Sequence, residues 1–123
     1  MAAPEFTAKL PMRLQSAANL REHWTTRHRR VKAERALGAW LAVNAVPLPV
    51  VVTLTRIAPR RLDDDNLRSA FKGLRDGIAD KLGVADNDPR VRWEYLQARG
   101  KPREYGIQVR VVHRSMGDAG EVK

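Results

Sequence analysis

The chain reads as an α+β domain of order β-α-β-α-β-β, with helices packed on one mixed sheet. Three features predict it. VVVTLTRI at 50–57 is a β-branched run, Asp65–Leu82 repeats apolar residues at i+3/i+4, and VRWEYLQA at 91–98 and Tyr105–Val112 alternate. At 123 residues the length is that of one domain, expected over 1–114, with 115–123 a disordered polar tail.

Phe6–Gln15 alternates through Leu10, Met12 and Leu14, and Pro11 suits an edge or a strand start. Ser16–Asn19 is a loop. Leu20–Asn44 is helical, with Trp24, Val31, Leu37, Trp40 and Leu41 on one broad face, although Thr25 and Thr26 also suit a mobile basic loop at its start. Val46–Pro49 breaks that helix. Val50–Ile57 is the clearest strand and Asp65–Leu82 the clearest helix. Leu67, Ala70, Phe71, Leu74, Ile78 and Leu82 form the helix's apolar face, and Gly83 reads as its C-cap. Asp86–Pro89 is a turn. The two last segments flank the turn Gly100–Arg103 and read as a β-hairpin. Trp40 and Trp93 are expected in the core.

The chain has no cysteine, which excludes disulfides, cysteine-based metal sites and a thiol nucleophile. His23, His28 and His113 are too scattered for a zinc site. The N-terminal MAAPEFTAKL has no signal-peptide core, and the longest apolar run, Val46–Leu54, holds two prolines. A cytoplasmic location without a membrane span is expected. A net charge of +9 and a pI near 10.8 point to a polyanion partner. Residues 1–61 carry 11 Lys/Arg against 3 Asp/Glu, net +8, while residues 62–123 carry 12 against 11, net +1. The basic surface therefore lies mainly in the first half and the acids in the second.

Those acids bracket the clearest helix. Asp63, Asp64, Asp65 and Asn66 precede it; Asp86, Asn87 and Asp88 follow it. In extended backbone, residues i and i+2 point the same way, so Asp63 and Asp65 can converge while Asp64 points away. A turn before the strand at Val91 can carry Asp88, or Asp86 in its place, back toward them. Three carboxylates suit Mg²⁺, a hard cation that keeps waters. A helix cap and dipole partner also explain one or two of the first acids, and an Asx turn before Pro89 explains the second group. Three consecutive acids crowd like charges, which a bound cation would relieve.

The pattern D-x-D-N-L after a basic strand exit, then a helix, then G-V-x-D-N-D-x-x-V, resembles RusA-type Holliday junction resolvases over roughly residues 50–112. The resemblance implies a homodimeric, Mg²⁺-dependent endonuclease, often phage-encoded, that nicks four-way junctions symmetrically in DNA recombination and repair. Mn²⁺ is a possible substitute. Its catalytic aspartates fall on Asp63, Asp65 and Asp88, a less critical acid on Asn87, and its asparagine on Asn66. Its catalytic lysine falls on Ser69. Lys72 shares a helix face with Asp65 and Ser69 and is the candidate replacement, with Arg68 or a partner-chain residue as alternatives.

Arg27, Arg29, Arg30, Lys32 and Arg35 are candidate phosphate contacts in the basic segment, which also holds His23 and Trp24. Trp24 either anchors the helix in the core or stacks at a distorted junction. Arg60 and Arg61 flank the proposed metal, and Lys101 and Arg103 can grip a second arm. The expected function is a Mg²⁺-dependent endonuclease resolving branched DNA as a homodimer, without a small-molecule cofactor. The alternatives are a non-cleaving nucleic-acid-binding protein of the same fold, such as a phage accessory factor, and a basic structural or RNA-binding protein.

Overall fold

The β-branched run dictates the centre of the molecule. In the computed structural model, which describes residues 4–14 and 24–114, Val50–Ala58 is an inner strand of a four-stranded sheet. In chain order the elements are β1 (Glu5–Leu10), α1 (Trp24–Trp40), β2 (Val50–Ala58), α2 (Asp64–Leu82), β3 (Val91–Arg99) and β4 (Gly106–His113), with a 3-10 turn at Val43–Ala45. The sheet order is β1-β4-β2-β3. β2 runs parallel to β3 and antiparallel to β4, and β4 runs antiparallel to β1. The α+β class, the element order and the mixed sheet are those the sequence predicts. β1, which Pro11 follows, is an edge strand.

The expected hairpin is not formed. β3 and β4 are separated by β2, which pairs Val50 with Val91 on one side and with His113 on the other. The connection at 100–105 therefore crosses the end of β2. Its six residues can reach about 20 Å, while two strand spacings are about 10 Å. Gly100 N–H donates to Ala58 O at 2.9 Å, fixing the crossing to the C-terminal end of β2.

Strand alternation places the core on one face. Val50, Val52 and Leu54 of β2, and Ile107, Val109 and Val111 of β4, are fully buried. They pack with Leu67, Phe71, Leu74 and Ile78 of α2. Each such side chain contributes about 1.5–3 kcal/mol by leaving water. The opposite face carries polar pairs: Thr53 beside Glu94 at 3.5 Å, and Arg110 with Glu5 at 3.0 Å.

α1 meets α2 through glycine rather than through large apolar residues. Cβ atoms built at Gly38 and Gly77 would lie 2.9 Å from Ile78 N and 2.8 Å from Arg35 C, with the Leu74 and Arg35 carbonyl oxygens closer still. The buried α1 positions include Glu34 and Gly38, while Trp40, expected in the core, is 79% exposed. Hydrophobicity favours Trp inside, but Trp40 lies about 200° around the helix from Gly38 and so faces away from the α1–α2 contact. Trp93 is partly buried against the core. Gly83 ends α2 with φ 73°, and its N–H donates to Ala79 O and Asp80 O. Ser16–Asn19, His23, the side chain of Trp24 and the tail 115–123 lie outside the described residues. Among those described, no helix is long and apolar enough to cross a membrane.

Candidate nucleic-acid and metal site

The acids before α2 are first of all helix-start residues. Asp63 is the N-cap: its Oδ1 accepts from Asn66 N–H at 2.9 Å and its Oδ2 from Asn66 Nδ2 at 3.2 Å. Asp64 and Asp65 occupy the first turn, where the helix dipole favours negative charge. All three are exposed. Because the helix begins at Asp64, Asp63 and Asp65 do not share extended backbone, and the expected same-side spacing does not apply.

The second acidic group follows the end of α2, and Asp86 reaches back along the helix to line a hollow with Arg68, Ser69 and Lys72. Leu62 is held by Gln97, late in β3: Leu62 N–H donates to Gln97 Oε1 at 2.9 Å, and Gln97 Nε2 donates to Leu62 O at 2.8 Å. Asp88 precedes Val91, which pairs with Val50 at the start of β2. Six strand residues separate Gln97 from Val91, about 20 Å at 3.3 Å per residue. α2 gives a similar figure: 19 residues span about 28 Å. Asp88 thus sits at the end of the sheet away from the Leu62–Gln97 clamp. The cause is the parallel β2–β3 pairing, which starts β3 at the sheet end opposite the start of α2. Among the described residues, no group of three or more His, Cys, Asp or Glu is gathered to hold a metal ion.

Asp88 is held by Arg90. Its Oδ1 accepts from the Arg90 backbone N–H at 2.9 Å and from Nε at 3.0 Å, and its Oδ2 accepts from Nη2 at 2.8 Å. The side-chain bonds foremost, then the backbone N–H, hold the Asp88 carboxyl down to about 2. A depressed folded value stabilises the fold above the unfolded carboxyl range, near pH ~4, and that contribution is lost as pH falls toward 2. Arg90→Gln is expected to raise the Asp88 midpoint toward the ordinary range in a carboxyl NMR titration. An unchanged midpoint would show that Arg90 is not the cause. Asp86 pairs instead with Arg75 of α2 at 2.9 Å.

Between these ends, α2 and β3 form a groove. Arg68 lies over the Tyr95 ring at 5.8 Å, Arg75 lies over Trp93 at 4.5 Å, and Arg75 Nη1 donates to Tyr95 Oη at 2.7 Å. Arg68 and Tyr95 line both a hollow containing Asp64 and a second of about 340 Å³ containing Ser69, Lys72 and Asp86. The Lys72 ammonium meets Asp76 at 3.4 Å, one turn further from Asp65. Arg68 is the cation nearer the acids in sequence. Arg75 and Tyr95 escape the sequence reading; their signal was helix spacing from Arg68 and strand alternation from Trp93.

The cations divide into two kinds. Arg60 and Arg61 line a pocket at the C-terminal ends of β2 and β3 together with Arg56 and Arg99, two residues the sequence reading missed. Lys101 and Arg103 lie on the adjoining crossing, where Arg103 has φ 66°. On α1, Arg27, Arg29 and Lys32 are exposed. Arg30 pairs with Glu34 at 3.4 Å, and Arg35 donates to both Asp80 oxygens at 2.8 and 3.1 Å. Arg35 therefore joins the two helices.

No family model matches the chain. A protein of Xylella fastidiosa (strain Temecula1 / ATCC 700964), described as uncharacterized, is 41% identical over 81 residues, covering 55% of this chain and 51% of that protein. The chain thus spans about half the length of that curated relative.

Proposed function

We propose that the chain is a RusA-like, Mg²⁺-dependent endonuclease that acts as a homodimer on four-way DNA junctions. One observation carries the reading. The Arg60–Arg61 cations and the Asp63–Asp65 acids lie within six residues across the β2–α2 junction, which is clamped to β3 through Leu62 and Gln97. Cations that seat phosphate thus stand beside carboxylates that suit a hard ion.

Among the described residues, Asp63, Asp65 and Asp88 are not gathered as one ligand group, which favours the dimer. A two-fold axis across α2 sets the start of one helix beside the end of the other. Asp63 and Asp65 would then face the partner subunit's Asp88, and each dimer would hold two such sets. An ion held there supplies an activated water and neutralises charge on the scissile phosphate. Arg90 would release Asp88 to it, and its side chain, 56% exposed, has room to do so. Arg60 and Arg61 would position the strand, with Arg68 or Lys72 meeting the developing charge.

A nicking assay on a synthetic four-way junction with Mg²⁺ tests this. The wild type is expected to make paired nicks, and Asp65→Asn to lose at least about 100-fold, since ion-mediated charge stabilisation is worth several kcal/mol. Equal behaviour of the two proteins would end the nuclease reading. A non-cleaving junction-binding protein is the second reading. It is favoured by Ser69 at the family's lysine position and by the Lys72 contact with Asp76. It predicts junction binding at low salt without metal-dependent nicking.

A further inference from the structure

Arg56 is the oddest residue of the core. Strand alternation puts it on the face of Val50, Val52 and Leu54, and it is only 9% exposed. Its Nη1 donates to Arg60 O at 2.7 Å, but its Nε meets no hydrogen-bond partner among the described residues. Burial, and then the neighbouring charge of Arg13, push its pKa below the ordinary arginine value. Among the described residues, none of Arg56, Arg60, Arg61 and Arg99 pairs with a carboxylate. A buried guanidinium without a counter-charge is costly, and a second arginine beside it adds repulsion.

These four arginines line one pocket of about 380 Å³, and Gln97 completes its wall. Gln97 spends both ends of its amide on Leu62, so the connection bearing Arg60 and Arg61 is fixed against β3. The pocket is therefore built, and all the charge lining it is positive. No acid lines it to balance that charge. Planar guanidinium forks match phosphate oxygens in pairs.

We propose that this pocket binds a phosphate group, and that in the nucleic-acid complex it seats a backbone phosphate of the strand lying at Asp63–Asp65. The second half rests on the nucleic-acid reading; the affinity for phosphate does not. An anion there offsets the positive charge that Arg56 shares with Arg60, Arg61 and Arg99 around the pocket. It also anchors the strand on a rigid part of the fold, beside the acids and before the groove along α2.

The test uses the full chain in EDTA, so cleavage plays no part. Inorganic phosphate is expected to raise the Tm of the wild type above that in sodium chloride of equal ionic strength. Arg99→Ala and Arg60→Ala, both at exposed positions, are expected to lose that shift. Arg110→Gln, which removes a charge from the opposite sheet face, is expected to keep it. No phosphate-specific shift in the wild type, or a shift retained in Arg99→Ala, would overturn the pocket. Arg56→Met separates binding from bracing. Loss of the phosphate response with an undiminished Tm in chloride supports the proposal. A lower Tm in chloride with the response intact makes Arg56 a brace and overturns its role.

Junction binding is then measured against salt. Each arginine removed is expected to lower the slope of log K against log salt by about 1. A slope unchanged in Arg99→Ala, with the phosphate response lost, overturns the nucleic-acid half and assigns the pocket to a small phosphorylated ligand.

Discussion

Gly77→Ala is expected to destabilise the protein by about 1–3 kcal/mol or more, although it replaces a glycine inside a helix. Helix propensity alone predicts the opposite, a gain of about 0.5–1 kcal/mol. Packing decides the sign. A Cβ at Gly77 would sit 2.8 Å from Arg35 C and 2.9 Å from Ala39 N, and nearer still to Arg35 O. These are backbone atoms, so no side chain can turn aside. α1 must shift as a unit, and the Arg35–Asp80 bonds that tie it to α2 shift with it. Gly38→Ala meets the same obstacle from the other helix, against Ile78 N and Leu74 O. Thermal unfolding reads both, at roughly 4 °C per kcal/mol for a domain of this size. A Tm that rises in Gly77→Ala would mean that the helices do not approach so closely in solution.

The same contact shows where sequence reasoning stops. α2 was legible because Leu67, Phe71, Leu74 and Ile78 repeat at helix spacing, and β2 because β-branched residues cluster. Trp40 was misplaced because hydrophobic periodicity ranks residues by their wish to leave water. It is silent about glycine, the residue on which this helix pair depends. The β3–β4 hairpin failed for a related reason: alternation identifies a strand but does not name its neighbour. That neighbour also decided the site. Asp63 and Asp65 were found at a helix start, but only the parallel pairing of β2 with β3 sends Asp88 to the far end. Arg56 was open to discovery, since its position in the alternation put it inward.

Mixing two inactive variants is expected to restore junction nicking if each site is shared between protomers. Asp65→Asn spoils the acids at the start of α2, and Asp88→Asn spoils the one beyond its end. Each homodimer then carries two defective sites. A mixed dimer carries one site with both defects and one with none, because the intact Asp63–Asp65 pair of one chain faces the intact Asp88 of the other. Random exchange makes half the dimers mixed, so roughly a quarter of wild-type sites return. The restored dimers have one working site each, so they nick one strand of the junction rather than a pair. A site complete within one chain gives the contrary result, since every chain in the mixture carries a defect. Among the described residues no three of these acids are gathered in one chain, which favours sharing. Wild-type nicking that survives in a chain locked as a monomer would refute the shared site, whatever the mixture does.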